Sequence, residues 1–299
     1  MESRKVQKTG DMNYIYLPTK WCKKHNIKAQ SFVSIREDAN GALVLSATDA
    51  KPRAGHLSIS IKEDDEQVIN RLLVACYLNP LAGFKIELPR EMTAAKLLRQ
   101  KKLVSLESVE IDKKTILSDS SVMLTDPDLL LKTMVKKIKN LVVLMRTNYN
   151  LDLITRYEEE IDRSRMLIQK AVINYMALSM PVHLKTIDLY YISLLAQDLE
   201  RMVDHVIGLR EKDTDYLEKL SDSVQHLKEI TDSLDLRKGS PKPHYRTALG
   251  FVKKVGELPK GEEGNKGRAG YNERRIRELL SNVSEVLLDW SITNQIESI

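Results

Sequence analysis

From residue 125 to about 212, apolar side chains recur at three- and four-residue steps, the period of amphipathic helices. Leu130, Met134, Ile138, Leu141 and Met145 predict a helix over about 127–148. Ile154, Tyr157, Ile161, Ile168, Val172 and Tyr175 predict a second over about 152–179, stopped by Pro181. Thr125-Asp126-Pro127 opens the first helix, an aspartate in the capping position followed by proline at the first helical residue. A third helix, Leu184 to Arg210, organises the rest. Ile187, Tyr191, Leu194, Met202 and Leu209 line one of its faces, and Ile192, Leu195, Leu199, Val203 and Val206 line another. A helix apolar on two sides sits inside a bundle and packs on more than one neighbour. The helical pattern continues over Tyr216 to Leu234 and Arg274 to Ile296. Residues 237–270 hold seven of the twelve glycines and three of the nine prolines, so they predict a loop with a short helix at 246–255.

The first 48 residues follow a different rule. Strand candidates Lys5–Lys8 and Asn13–Leu17 flank a turn at Thr9-Gly10-Asp11, and Ser31–Glu37 and Leu43–Ala47 flank another at 38–41. Between them Thr19 is placed to cap a short helix, Lys20–His25, with Trp21 facing inward. A segment this short does not bury a self-sufficient core, which predicts hairpins interleaved between two copies. From 56 to 118 strands and helices alternate: strands at 56–61, 83–88, 106–111 and 115–117, helices at 66–78 and 91–101. This small α/β module contains no phosphate-cradling glycine loop and no nucleophile motif; a spacer, a dimer surface and a small-ligand domain all remain open for it.

Composition adds bounds. Apolar residues make up 42% and charged residues 30%, as in an ordinary folded chain. No apolar run approaches the ~20 residues of a membrane span, and the charged start MESRKVQKTG lacks a signal-peptide core, so a cytoplasmic protein without membrane insertion is expected. Cys22 and Cys76 match no metal or redox spacing. The net charge of +5 is unevenly placed: residues 1–48 carry +4 and residues 237–270 carry +6, leaving the remainder acidic. A basic head points to a polyanion partner; for the second basic segment a solvated loop is the favoured reading.

Two Glu-x-x-x-Asp pairs stand out, Glu158/Asp162 on the second helix and Glu200/Asp204 on the third. Residues four apart point the same way on a helix. Each pair reads either as part of a cation site or as one side of an ion-pair network with Arg156, Arg163, Arg165 and Arg201. Asp198, Arg201 and His205 read as a satisfied polar network rather than a catalytic set. Glu285 and Asp289 repeat the spacing, but Trp290 follows where the earlier motif has His205.

RKVQKTGDMNYIYLPTKWCKKHNIKAQSFVSI, followed by NGALVLS, resembles the swapped-hairpin DNA-binding domain of the AbrB, MazE and SpoVT group. The Arg-led first strand, the glycine turn, the Leu-Pro at 17–18 and the closing hairpin carry the likeness. It implies a dimer that sets Arg4, Lys5, Lys8, Lys23 and Lys24 against DNA, with Asn13 near the place where many members have arginine. Lysines at such positions hold phosphates rather than read guanine, which implies salt-sensitive binding. RYEEEIDRSRMLIQKAV followed by LAQDLERMVDHVIGL is similar to the bundle repeat of the PhoU family of phosphate-uptake regulators, in the manner of archaeal members with an AbrB-like head. That likeness implies metal ions (Fe, Mg or Mn) on Glu158, Asp162, Glu200 and Asp204, hard oxygen ligands suited to such cations.

These observations define the expected protein. It is α+β and multidomain: a dimeric swapped-hairpin β-barrel at 1–48, a small α/β module at 50–124, and a PhoU-like helical bundle at 125–299 with a basic loop at 237–270. It is a non-enzymatic, homodimeric DNA-binding regulator of phosphate homeostasis. The alternative keeps the bundle as the working part, docking on a phosphate transporter or signalling kinase while the head only dimerises. Metal-dependent hydrolysis ranks last, for want of a base or nucleophile.

Overall fold

The computed structural model describes residues 3–37, 41–47, 55–91, 109–112, 114–119, 125–178, 184–209, 214–234, 243–259 and 268–297. The fold is α+β, with eight helices and eight short strands and no closed barrel among the described residues. It divides into two units, Met1–Pro52 and Arg53–Ile299.

In the first unit, β1 (Gln7–Thr9) pairs antiparallel with β2 (Met12–Tyr14), Lys8 standing opposite Asn13. Gly10 supplies the left-handed residue of the turn, with φ +60°. Helix α1 (Thr19–Lys24) follows. It begins one residue before the expected start, so Thr19 lies inside it and the capping position falls on Pro18, which makes no side-chain cap bond. A second antiparallel pair, β3 (Ser34–Glu37) with β4 (Leu43–Ser46), closes the unit, and Gly41 sits at φ +77° in its turn. Both hairpins form where the alternation placed them, with shorter strands. None of the residues described in this unit with their exposure is buried. Phe32 is 92% exposed, and Val6, Met12, Tyr16, Ile35 and Leu43 are each more than half exposed. Trp21 is half-buried, its ring 5.4 Å from that of His25.

The second unit begins with a four-stranded sheet in the order β5-β6-β8-β7, from β5 (Gly55–Ser60), β6 (Leu81–Glu87), β7 (Val109–Asp112) and β8 (Thr115–Asp119). The β5–β6 pair is parallel and is joined by helix α2 (Glu66–Leu78), while β6–β8 and β7–β8 are antiparallel. Asp65 caps α2, its carboxylate accepting from the N–H groups of Gln67 at 2.8 Å and Val68 at 3.2 Å. Ile69, Leu73 and Cys76 of α2 pack with Phe84, Ile86, Leu88 and Ile116 of the sheet layer. The helix expected at 91–101 lies outside the described residues but for its first residue. Cys76 is buried and Cys22 half-buried, and both thiols are free.

Six helices complete the unit: α3 (Pro127–Thr147), α4 (Leu151–Leu178), α5 (Thr186–Val206), α6 (Thr214–Ser233), α7 (Tyr245–Gly256) and α8 (Arg268–Glu297). They fall into two runs of three. The first helices of the runs, α3 and α6, pack on each other, and so do the last, α5 and α8. One continuous apolar core runs through all six. The stretch expected as a basic loop at 237–270 thus carries α7 and the first residues of α8. The short helix expected at 246–255 within that stretch is α7, and its Ala248, Phe251 and Val255 are buried. Asp126 does occupy the capping position of α3, yet it makes no side-chain cap bond; its Oδ1 instead accepts from the Tyr175 hydroxyl at 3.4 Å. Both expected apolar faces of α5 are largely buried, with Ile187 and Leu194 half-buried.

A buried polar link fixes α5 to α8. Trp290, fully buried, donates its indole N–H to Asp188 Oδ1 at 2.9 Å, and Asp188 is itself only 1% exposed. Its other oxygen accepts from the Lys185 backbone N–H at 3.0 Å. Tyr191 stacks on the indole at 5.8 Å and pairs its hydroxyl with that of Thr293 at 2.9 Å. The α/β module docks on the bundle through α2 against α4, where the Lys170 ammonium lies 3.8 Å from the centre of the Tyr77 ring. Among the described residues no helix is long and apolar enough to cross a membrane.

Removing the acceptor at this link strands a buried indole N–H. Asp188→Ala is expected to cost about 1–3 kcal/mol, and Asp188→Asn, which keeps one carbonyl acceptor, less. Urea denaturation of the three proteins checks the order.

Candidate functional site

Helices α4 and α5 pack side by side, and this brings the two acidic pairs to one seam. Asp162 is buried, Glu158 and Glu200 are half-buried, and Asp204 is exposed. Burial pushes the Glu200 carboxyl above its ordinary pKa, and the Arg165 guanidinium opposes that rise. Asp162 and Asp204 push it further upward, while Arg201 pulls it down. Three carboxylates on two helices therefore share one field. Glu158 stands one turn before Asp162 on α4.

Arginine enters the same seam. Arg165 lies three residues after Asp162 and so shares its face. Its Nε is 3.5 Å from Glu200 Oε1, and its Nη1 donates to Gln169 Oε1 at 2.9 Å. The Glu200 contact is an ion pair without a hydrogen bond: Arg165 Nε is buried and has no hydrogen-bond partner. Beside it, Ser193 and Gln197 of α5 join Arg165 and Gln169 around a small polar cavity of about 100 Å³. Among the described residues, no three carboxylate, imidazole or thiol groups converge closely enough to hold one metal ion. In this geometry the seam is an ion-pair patch rather than a formed ligand cage. Rearrangement of Arg165 away from Glu200 is what a cation there would require.

The other expected polar network forms only in part. Asp198 pairs with Arg201 at 3.9 Å, and burial pushes its carboxyl up. His205 turns away from both, pairing its Nδ1 with Asn272 Oδ1 at 3.1 Å on α8, with the Tyr271 ring edge-on at 5.7 Å. Glu285 and Asp289 are exposed on α8. The Asp188–Trp290 link had no sequence signal, because its partners are a hundred residues apart.

In the first unit, all six residues expected to meet DNA are exposed. Lys8 and Asn13 are cross-strand neighbours on β1 and β2. Arg4 and Lys5 lead into β1, and Lys23 and Lys24 form the last turn of α1, where cations also complement the helix dipole. No family model, curated protein or solved structure matches the chain. Function is argued from the residues.

If Arg165 is what steadies Glu200 between Asp162 and Asp204, Arg165→Ala is expected to destabilise by roughly 0.2–1 kcal/mol. Glu200→Gln in that background is expected to recover part of the loss. A double-mutant cycle in urea reads the coupling directly.

Proposed function

We propose that this chain is a homodimeric, non-enzymatic DNA-binding regulator of phosphate uptake, with a swapped-hairpin head on duplex DNA and a PhoU-like bundle as sensor or interaction domain. One observation carries the reading: the first unit has paired hairpins, an exposed basic set and, among the residues described with their exposure, no buried side chain. Apolar residues that stand in solvent in one chain are what a second copy of the same hairpins would cover. Closing the four hairpins of two chains into one barrel places Arg4, Lys5, Lys8, Asn13, Lys23 and Lys24 twice, once per half of a duplex site.

Phosphate homeostasis enters through the resemblance of the α4 and α5 sequences to the PhoU repeat. The acidic seam on Glu158, Asp162, Glu200 and Asp204 is the part of the bundle proposed to respond to cations, by exchanging Arg165 for a metal ion. The exposed heads and the separate bundle core also accommodate the alternative, in which the bundle modulates a phosphate transporter or a kinase by contact.

Two measurements test the proposal. In a low-salt shift assay with genomic fragments, the intact protein is expected to retain duplex DNA, with affinity falling steeply as salt rises. The Lys23→Ala/Lys24→Ala variant is expected to bind more weakly and to lower the slope of log K against log salt by about two. Retention equal to that of the intact protein would leave the accessory-protein reading. Metal content of the purified protein, compared with Asp162→Ala and Asp204→Ala, tests the seam; identical content in all three would remove metal from the account.

A further inference from the structure

Helices α7 and α8 line an open groove of about 460 Å³ that neither the head nor the acidic seam uses. Arg274, Arg277, Ser281 and Ser284 form one stripe of α8 along it, and Val252 and Val255 of α7 form its apolar side. We infer that this groove is a binding site for a phosphorylated small molecule of nucleotide size.

Charge is the first argument. Arg274 and Arg277 are three residues apart on one helical face, so their guanidiniums leave α8 in the same direction. Both are half-buried, and neither makes an ion pair or hydrogen bond among the described residues. Partly desolvated guanidiniums without an anion partner are unusual, because a buried cation is costly unless paired. The one carboxylate on the groove, Glu278, is already engaged by Arg275 at 2.5 Å. Arg277 shares the surroundings of Tyr216 with the Glu273 carboxylate, so the groove presents one fork, Arg274, with no charge beside it and a second, Arg277, only partly offset, each matched to phosphate oxygens in a way lysine is not.

Shape is the second. The volume lies within the range of small-molecule pockets and far exceeds what inorganic phosphate fills. Opposite the arginines, Val252 and Val255 offer an apolar wall, and at Gly256 a side-chain carbon would meet nothing within 4 Å. A cationic end facing an apolar wall matches a ligand with phosphate at one end and a flat, less polar body at the other. Position is the third. Arg277 also lies close enough to Tyr216 of α6 to oppose the upward pull of burial and Glu273 on its phenol, and Tyr216 donates to the Glu273 carbonyl at 2.9 Å. A ligand on Arg277 would touch the joint between α6 and α8.

Isothermal titration of the full-length protein with ATP, AMP and inorganic phosphate tests the assignment. ATP or AMP is expected to bind one per chain, at least tenfold more tightly than inorganic phosphate. Arg274→Ala/Arg277→Ala is expected to weaken that binding by tenfold or more. Val252→Trp, which fills the groove and leaves every charge in place, is expected to do the same while the circular dichroism spectrum stays unchanged. Lys23→Ala/Lys24→Ala is expected to bind nucleotide as the intact protein does, which keeps this result independent of the head. No nucleotide binding, equal affinity for inorganic phosphate and ATP, or loss in the head variant but not in the groove variants would overturn the inference.

Discussion

Phe32, Met12, Leu43, Val6 and Ile35 all face solvent on a unit that holds two hairpins and a six-residue helix. Backbone pairing holds each hairpin locally, but an isolated two-stranded hairpin is at best marginal in water. Hydrophobic burial is the dominant favourable term in folding, and here a single chain supplies almost none of it. A second surface must therefore cover these side chains if the hairpins are to persist. That requirement, rather than any single basic residue, is what the proposed dimeric head and its proposed two-fold DNA site rest on.

The bundle is built under the opposite condition. Its core is continuous across six helices, and Trp290 donates to Asp188 inside it, between α5 and α8. Against that rigid frame the acidic seam is unsettled: Glu200 is pressed by burial and two neighbouring carboxylates, and the nearest cation is an arginine held at ion-pair distance. A network with a marginal partner is open to exchange of one cation for another. The α7–α8 groove leans the other way, with Arg274 and Arg277 on it and a single lining carboxylate among the described residues, Glu278, that is engaged by Arg275. One frame thus carries an acidic seam and a basic groove on different helices.

Much of this was legible in the sequence because helix periodicity is local. The stripe from Ile154 to Tyr175 and the doubled faces of the Leu184–Arg210 segment predicted α4 and α5 to within a few residues, and the glycine turns at Gly10 and Gly41 predicted both hairpins. That the two members of each pair, Glu158 with Asp162 and Glu200 with Asp204, share a helix face was legible too, since spacing fixes which face a residue occupies. What spacing does not fix is distance across to another helix, and there Arg165 approaches Glu200 while no three ligands converge among the described residues. Caps failed for a similar reason. Asp126 held the right position, but Tyr175, far along the chain, offered its carboxylate a different partner. Helix α7 was legible as a short helix at 246–255 despite the glycines and prolines around it, but the groove it forms with α8 depends on a packing that no local pattern encodes.

The central claim is that the first unit gains its core only from a second copy. Trp21 reports on that unit directly, and replacing the buried Trp290 with phenylalanine makes it the sole tryptophan. Thermal unfolding followed by Trp21 fluorescence over a hundredfold range of protein concentration measures the dependence. The account predicts a midpoint that rises with concentration, as mass action requires of a paired fold. A midpoint independent of concentration, in a chain that sediments as a monomer, would contradict it.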